Sequence, residues 1–392
     1  MIIELVAARI IAPILGSSLY TWTSVIGVIL AGMSLGNVLG GILADQGNPI
    51  PRLIRVLLST GLAVALIPLI YLLIPMVAGF SWPLMMKILL AAFFLFFPVA
   101  FVSGMILPLA VKAEVRNLST IGTSAGRLYA ANVAGSILGT FLAGFFLIGS
   151  LGSMETVFVC AAGYTALAFF LPGEAPFKFV MVLVLLSLLF VGWQVQQIQG
   201  RGLLESRDTD YYYLRVADHE FRGDALRSLY LDTDWEGAKF RDHDGIVHPY
   251  TQAYTLVKAW KPNARAVVFL GGGPHVSPMY FHDHLFPQAK IRVVEIDPAV
   301  TEAAKTFFDF REDDRMTVEN QDARLTWRSL REPVDVIALD VFDSLLSPPF
   351  HLVTKEYHQE MYDHLTDGRV MVTNLIDGWG RPEQSRLIRS NV

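Results

Sequence analysis

Two carboxylates three residues apart, in Asp340-Val341-Phe342-Asp343, end an apolar stretch at 334–340. Acids this close raise one another's affinity for protons, so one of the pair can accept a proton near neutral pH. Pro348-Pro349 follows, so Asp343 could equally be a turn residue opening a loop. Upstream, Ala266-Val267-Val268-Phe269-Leu270 runs directly into Gly271-Gly272-Gly273-Pro274-His275. Glycines at that point let the backbone approach a ligand closely. Further on, Ile291-Arg292-Val293-Val294 closes on Glu295-Ile296-Asp297. An acid at the end of such a strand can take both hydroxyls of a ribose. Asp322, in Asn320-Gln321-Asp322-Ala323, can accept from the exocyclic amine of adenine or cap a helix starting at 323. These residues predict a nucleoside site beside an acidic reaction centre.

The elements that must position them alternate. Strands are expected at 266–270, 291–296, 316–319, 334–340 and 369–375, with helices at 250–260, 276–286, 298–308, 323–330 and 354–365. Such βα alternation predicts an α/β Rossmann-like, methyltransferase-type doubly wound domain with its ligand at the carboxyl ends of the strands. Residues 211–216 and 228–232 read as short antiparallel strands, a small β unit ahead of the main fold.

Composition divides the chain. Only 13 of its 67 charged residues precede residue 201, and the whole is 53% hydrophobic, too apolar for an ordinary soluble protein. Residues 1–200 therefore read as a multi-span α-helical membrane domain and residues 201–392 as a water-soluble nucleoside-binding domain. Seven spans are expected, near 1–15, 20–44, 53–78, 84–111, 125–149, 154–171 and 177–197. Glu4 and Arg9 interrupt the first of them, so the N-terminus does not read as a cleavable signal. Gly32, Gly36, Gly40 and Gly135, Gly139, Ala143 form two small-residue stripes that suit close helix packing, or else a substrate path. Arg52 and Arg55, and two spans later Lys112, Arg116 and Arg127, place both loops in the cytoplasm. Seven spans would then leave the soluble half outside. Nucleosides are made inside, so the soluble half is assigned to the cytoplasmic face of the plasma or inner membrane, and a short span such as 154–171 is the one to discount.

At these positions the chain resembles the spermidine synthase family of aminopropyltransferases, in its fused, membrane-anchored form, over about residues 211–375. The family's Gly-Gly-Gly-Asp-Gly motif appears as Gly271-Gly272-Gly273-Pro274-His275, and its ribose-binding Glu matches Glu295. Its adenine-contacting Asp-Ala pair looks like Asp322-Ala323, and its Asp-Ser-Ser-Asp catalytic segment is similar to Asp340-Val341-Phe342-Asp343. The Leu-Phe-Thr run after that segment resembles Leu352-Val353-Thr354. The Tyr-His-Glu-x-x-x-His-Pro segment is similar to Asp242-His243-Asp244-Gly245-Ile246-Val247-His248-Pro249, which puts Asp242, His243 and Asp244, with His275, on the substrate side. The membrane half resembles the multi-span partner of such fusions through Leu15-Gly16-Ser17-Ser18-Leu19-Tyr20 and Leu128-Tyr129-Ala130-Ala131-Asn132.

The resemblance implies a substrate, S-adenosylmethionine or its decarboxylated form, an amine acceptor such as a polyamine, and release of methylthioadenosine. Asp343 would be the base and Asp340 its partner near the reacting centre; a homodimer is compatible. Two departures stand out: Pro274 replaces the Asp of the glycine motif, and Asp242 replaces the Tyr set against the amine. The nucleoside half of the pocket is kept and the amine half altered. That leaves open a lyase in which the donor's own carboxylate attacks, a methyltransferase, and a transporter or sensor regulated by the soluble domain. The net charge of −5, without a basic stripe, argues against nucleic acid. A lone Cys160 and histidines without metal-motif spacing argue against a disulfide framework or a metal.

Overall fold

In the computed structural model, residues 1–16, 19–80, 82–115, 121–179, 181–182, 184–186, 188, 202–232, 234–330, 332–341 and 349–374 are described. The chain divides into two units, Met1–Arg201 and Gly202–Val392.

The first unit is helical. Five helical stretches are long and apolar enough to cross a membrane: Leu19–Ala44, Pro49–Tyr71, Leu84–Glu114, Ile121–Leu151 and Ser153–Phe170. Seven spans were expected, and the two differences have distinct origins. The helix Ile2–Leu15 stops at Gly16, whose φ of 81° is left-handed and whose N–H donates to Ala12 O at 2.9 Å. At a rise of about 1.5 Å per residue it is about 21 Å long, short of a ~30 Å hydrocarbon core. Val6, Ala7, Ile10 and Ile11 are buried instead in the core of the bundle. The span expected at 177–197 lies largely outside the described residues. The stretch near 154–171, the one sequence reasoning would discount, is a full 18-residue apolar helix.

Gly32, Gly36 and Gly40 lie where the helix Leu19–Ala44 crosses the helix Leu84–Gly104. A Cβ on Gly36 would sit 2.0 Å from the Phe101 carbonyl oxygen, and one on Gly104 would sit 2.6 Å from that of Met33. Backbone therefore touches backbone, and the first small-residue stripe is packing. The second is packed only at one end: among the described residues a Cβ at Gly135 meets nothing within 4 Å and one at Gly139 meets only the Ile2 side chain, while Ala143 is buried. Outward-facing Leu30, Val38, Phe93, Phe94, Leu138 and Phe145 give this unit an apolar exterior.

The second unit holds two sheets. Four antiparallel strands, β1 (Leu203–Asp208), β2 (Tyr213–Phe221), β3 (Asp224–Leu231) and β4 (Asp234–Phe240), form a meander. Sequence reasoning found two of its strands. Polar β1 and β4, with Glu205, Arg207, Asp234, Glu236 and Lys239, lack the apolar alternation that marks a strand. The parallel sheet follows expectation, with β5 (Ala266–Leu270), β6 (Lys290–Glu295), β7 (Met316–Asn320), β8 (Val334–Leu339) and β9 (Leu365–Thr373) in the order β7-β6-β5-β8-β9. Its strands are apolar along their length because both faces are covered: Val267, Phe269 and Ile291 point to one core and Val268, Leu270 and Val294 to the other. Asp297 ties the sheets together. It caps the helix Pro298–Phe307 by accepting from Ala299 N at 2.9 Å and also accepts from Thr209 Oγ1 next to β1.

The glycine contacts generate a matched pair of variants. Gly36→Ala should destabilise the protein by about 1–3 kcal/mol, because a backbone contact must open. Gly27→Ala, on the same helix but with nothing within 4 Å of its new Cβ, should be neutral or stabilising. Thermal unfolding in detergent checks both, and equal midpoints would contradict the packing.

Candidate active site

The strand order places a topological switch between β5 and β8, since the chain leaves β5 for β6 on one side and returns to β8 on the other. Clefts in such sheets open at the carboxyl ends of strands at that switch. Here those ends are Gly271 and Asp340.

Gly271 has a φ of 81° and donates its N–H to Val294 O at 2.9 Å, while Asp340 donates its N–H to Leu270 O at 2.8 Å. A Cβ on Gly271 would lie 2.0 Å from the Asp340 carbonyl oxygen. The glycine is thus demanded by the meeting of two strand ends as well as by its left-handed backbone. Gly272 is demanded from below, where a Cβ would lie 2.3 Å from His275 Nδ1. Its N–H donates to Glu295 Oε2 at 3.1 Å, and Asp297 N–H donates to Glu295 Oε1 at 3.1 Å. Glu295 therefore braces the glycine turn from the end of β6 and fixes where the turn stands relative to the sheet.

The cleft is lined by the glycine turn, Pro274, Asp340, Tyr250, Tyr254 and Glu236. Asp340 Oδ1 accepts from Asn374 Nδ2 at 3.1 Å, while the Tyr250 hydroxyl beside it donates to Glu236 O at 3.4 Å. Burial holds the Asp340 pKa up at about 6, with Asn374 and Tyr250 opposing. Burial likewise raises Glu295 to about 7, with the Asp297 and Gly272 N–H groups opposing. Glu236 goes highest, to about 8, through burial first and then the charges of Asp340, Asp234, Glu295 and Asp232. Tyr250 and Tyr254 are pushed far up, again mainly by burial. No lysine or arginine pairs with Glu236, Glu295 or Asp340 among the described residues.

The other residues singled out in the sequence lie elsewhere. Asp322 caps the turn Ala323–Leu325, accepting from Arg324 N at 2.8 Å, and its other oxygen is 3.3 Å from His351 Nε2. Ala323 is buried and its carbonyl accepts from the Tyr357 hydroxyl at 3.0 Å. These two residues end β7, on the far side of β6 from the switch-point cleft. Asp242, His243 and Asp244 are exposed, with His243 bonded to Asp242 at 2.8 Å and stacked on Phe240. They do not line the cleft. His275 is fully buried, its ring packed edge-on against Phe310 and its pKa pushed down to about 4 by burial. It shapes the turn from beneath and does not face a substrate. Asp343 lies outside the described residues. Among the described residues no three His, Cys, Asp or Glu side chains are grouped to hold a metal ion. Sequence reasoning missed Glu236, Tyr250 and Tyr254; the only available signal for the tyrosines was their spacing of four on a helix directly after His248-Pro249.

Strand order, switch-point cleft and glycine turn define a doubly wound α/β domain of the nucleotide-binding class. Residues 246–390 match the family described as the spermine/spermidine synthase domain. Polyamine aminopropyltransferase 1 of Streptomyces coelicolor is 24% identical over 329 residues, covering 71% of this chain and 58% of that protein. The eEF1A lysine and N-terminal methyltransferase of Bos taurus is 37% identical over 125 residues, covering 29% of this chain and 18% of that protein. Among solved structures, a probable spermidine synthase from Corynebacterium glutamicum matches with 21% identity and a TM-score of 0.39, over 43% of this chain and 62% of that one. The chain spans less than two thirds of the length of each of these three relatives.

The three raised acids give stability a pH dependence of definite sign. Unfolded, they titrate near the ordinary 4.5 for Glu and 3.8 for Asp; folded, they keep protons up to about 8, 7 and 6. The folded state binds more protons between those limits, so their contribution is fully present below the ordinary carboxylate range and is lost as pH rises through 6 to 8. The unfolding midpoint of the ligand-free protein should therefore rise when pH is lowered from about 8.5 to about 5.5. Glu236→Gln should flatten that dependence, and a midpoint insensitive to pH in both proteins would show the cleft acids to be ordinary.

Proposed function

We propose that the Gly202–Val392 unit is a transferase that binds an adenosyl sulfonium, moves an aminopropyl-type group from it to an amine, and releases methylthioadenosine. The observation that carries this reading is Asp340, an uncompensated carboxylate with a raised proton affinity, fixed by its own backbone against the glycine turn. The glycine turn and Glu295 would hold the adenosine, with Asp322 and Ala323 near the base. The donor is decarboxylated S-adenosylmethionine, and no metal takes part in the proposal.

The chemistry asks little beyond position and one proton transfer. The amine nitrogen attacks the carbon attached to sulfur, the C–S bond breaks as the C–N bond forms, and sulfur keeps the electron pair as a neutral thioether. The leaving group needs no proton. The attacking ammonium must first lose one, and a carboxylate within reach of the amine can accept it. Asp343 is proposed as the base and Asp340 as its partner beside the sulfonium. The Met1–Arg201 unit would anchor this activity in a bilayer, with the second unit on the cytoplasmic side where such sulfoniums are made.

A lyase is the second reading, and the exposed position of Asp242, His243 and Asp244 favours it, because the expected acceptor side is then thinly furnished. In that case the carboxylate of S-adenosylmethionine closes on its own side chain, giving a lactone and methylthioadenosine.

Incubation with each donor, with and without a panel of di- and triamines, followed by product mass analysis, separates these readings. Methylthioadenosine from the decarboxylated donor only when an amine is present is the expected result, and Asp340→Asn should slow it by about 10²-fold or more. Methylthioadenosine from S-adenosylmethionine without amine selects the lyase, S-adenosylhomocysteine indicates methyl transfer, and no product from either donor ends the proposal.

A further inference from the structure

Glu236 has no place in the reaction as described so far, yet the fold goes out of its way to present it. In the β3–β4 pair, Leu229 is opposite Gly237 and Tyr230 is opposite Trp235, so Glu236 is the extra residue of a β-bulge. A bulge re-aims one side chain relative to its strand, and bulges collect beside active sites for that reason. The two glycine-bearing segments here are fitted to one another. A Cβ on Gly237 would lie 2.6 Å from Pro274 Cγ, and the nearest atoms to a Cβ on Gly273 would be Glu236 O at 3.7 Å and Glu236 Cβ at 3.8 Å. The strand and the turn are in direct contact, with Glu236 set at the seam and lining the cleft.

Glu236 is half-buried, and an acid drawn out of water ordinarily has a cation or several N–H donors. Glu236 has neither a lysine nor an arginine partner among the described residues, and the four charged groups that act on it most strongly are acids. Those facing it are Asp340 from the end of β8, Glu295 from the end of β6, and Asp232 and Asp234 from the turn into β4; Tyr250 stands beside it from the helix Pro249–Tyr254. Such a group is costly to an empty site and useful only if the missing cation arrives with the ligand. The turn position that could have offered a carboxylate from the other side is occupied by Pro274, whose ring fills the notch at Gly237.

We propose that Glu236 is the specificity-determining residue that holds the primary ammonium on the alkyl arm of the donor, so that the carboxylate for this charge comes from the bulge of β4 and not from the glycine turn. The inference rests on the transferase reading above. Because Glu236 is protonated in the empty cleft near neutral pH, taking up an ammonium requires it to give its proton to solvent. Donor binding is therefore coupled to proton release, and methylthioadenosine, which has no ammonium, binds without it.

Titration calorimetry of the full chain in detergent, at about pH 7 in buffers of different ionisation enthalpy, tests this with decarboxylated S-adenosylmethionine and methylthioadenosine as probes. The wild-type protein should release about one proton more with the first probe than with the second. Glu236→Gln should weaken the first by about tenfold or more, abolish that extra release, and leave methylthioadenosine affinity within about twofold. Retained methylthioadenosine binding also shows that the variant folds. Equal losses for both probes, loss for neither, or unchanged proton release in the variant overturns the assignment of Glu236 while leaving the transferase reading intact. Failure of the wild-type protein to bind either probe sinks both.

Discussion

Everything in the cleft depends on how closely the ends of β5 and β8 approach. The carbonyl of Asp340 occupies the space a side chain at residue 271 would need, and the Asp340 N–H is spent on Leu270. Asp340 therefore cannot move without the turn, and the turn cannot move without Glu295, whose two oxygens hold Gly272 and Asp297. Asp297 in turn caps the helix Pro298–Phe307 and reaches Thr209 at the edge of the small β unit. A chain of hydrogen bonds thus runs from the meander through the end of β6 and the glycine turn to the end of β8. Its members are short side chains and backbone groups with little conformational freedom to lose, which is the condition for a preorganised site.

The parallel sheet was legible because burial on both faces makes its strands continuous apolar runs, and glycine, proline and acid residues punctuate their ends. The same logic set Gly271, Glu295 and Asp340 at strand ends, where the structure has them. It failed for polar strands. β4 reads Asp-Trp-Glu-Gly-Ala-Lys-Phe, without alternation, and a bulge cannot be inferred from one strand because it is a property of a pair. Glu236 was invisible for that reason. His275 failed in the opposite sense: a histidine after a glycine turn looks available to a ligand, but its own left-handed backbone folds the ring under Gly272 and into contact with Phe310. Asp242 and His243 match the sequence position of substrate-side residues and still project to solvent, since the loop after β4 carries them past the cleft.

In the membrane unit the same distinction holds between pattern and partner. Glycines at intervals of four occur in two helices, yet only one set meets an opposing backbone. The difference lies in the facing helix: Leu84–Gly104 supplies Ala100, Gly104 and exposed carbonyls opposite the first stripe, so both surfaces are flat. Periodicity on one helix states what that helix would tolerate and leaves open what it meets. Length was the sounder guide. The N-terminal segment is as apolar as its neighbours, but its left-handed Gly16 ends the helix early and turns it into interior packing.

The electrostatics of the cleft run against the stability of the empty protein, and that opposition explains several features together. Glu236 and Asp340 line the cleft and Glu295 braces its turn, no lysine or arginine pairs with them among the described residues, and burial raises all three pKa values. Neutral acids cost less to bury than charged ones, so the fold tolerates the arrangement by holding protons in place of a ligand. In the proposed reaction a doubly cationic donor would reverse the balance. A sulfonium near Asp340 and an ammonium near Glu236 would favour the ionised forms and displace the protons. A zwitterionic arm would bring a carboxylate into the same acidic surroundings and lose much of that gain. Charge complementarity of this kind discriminates by repulsion as much as by attraction, and it places the choice of donor in the carboxylates themselves and not in the shape of the pocket.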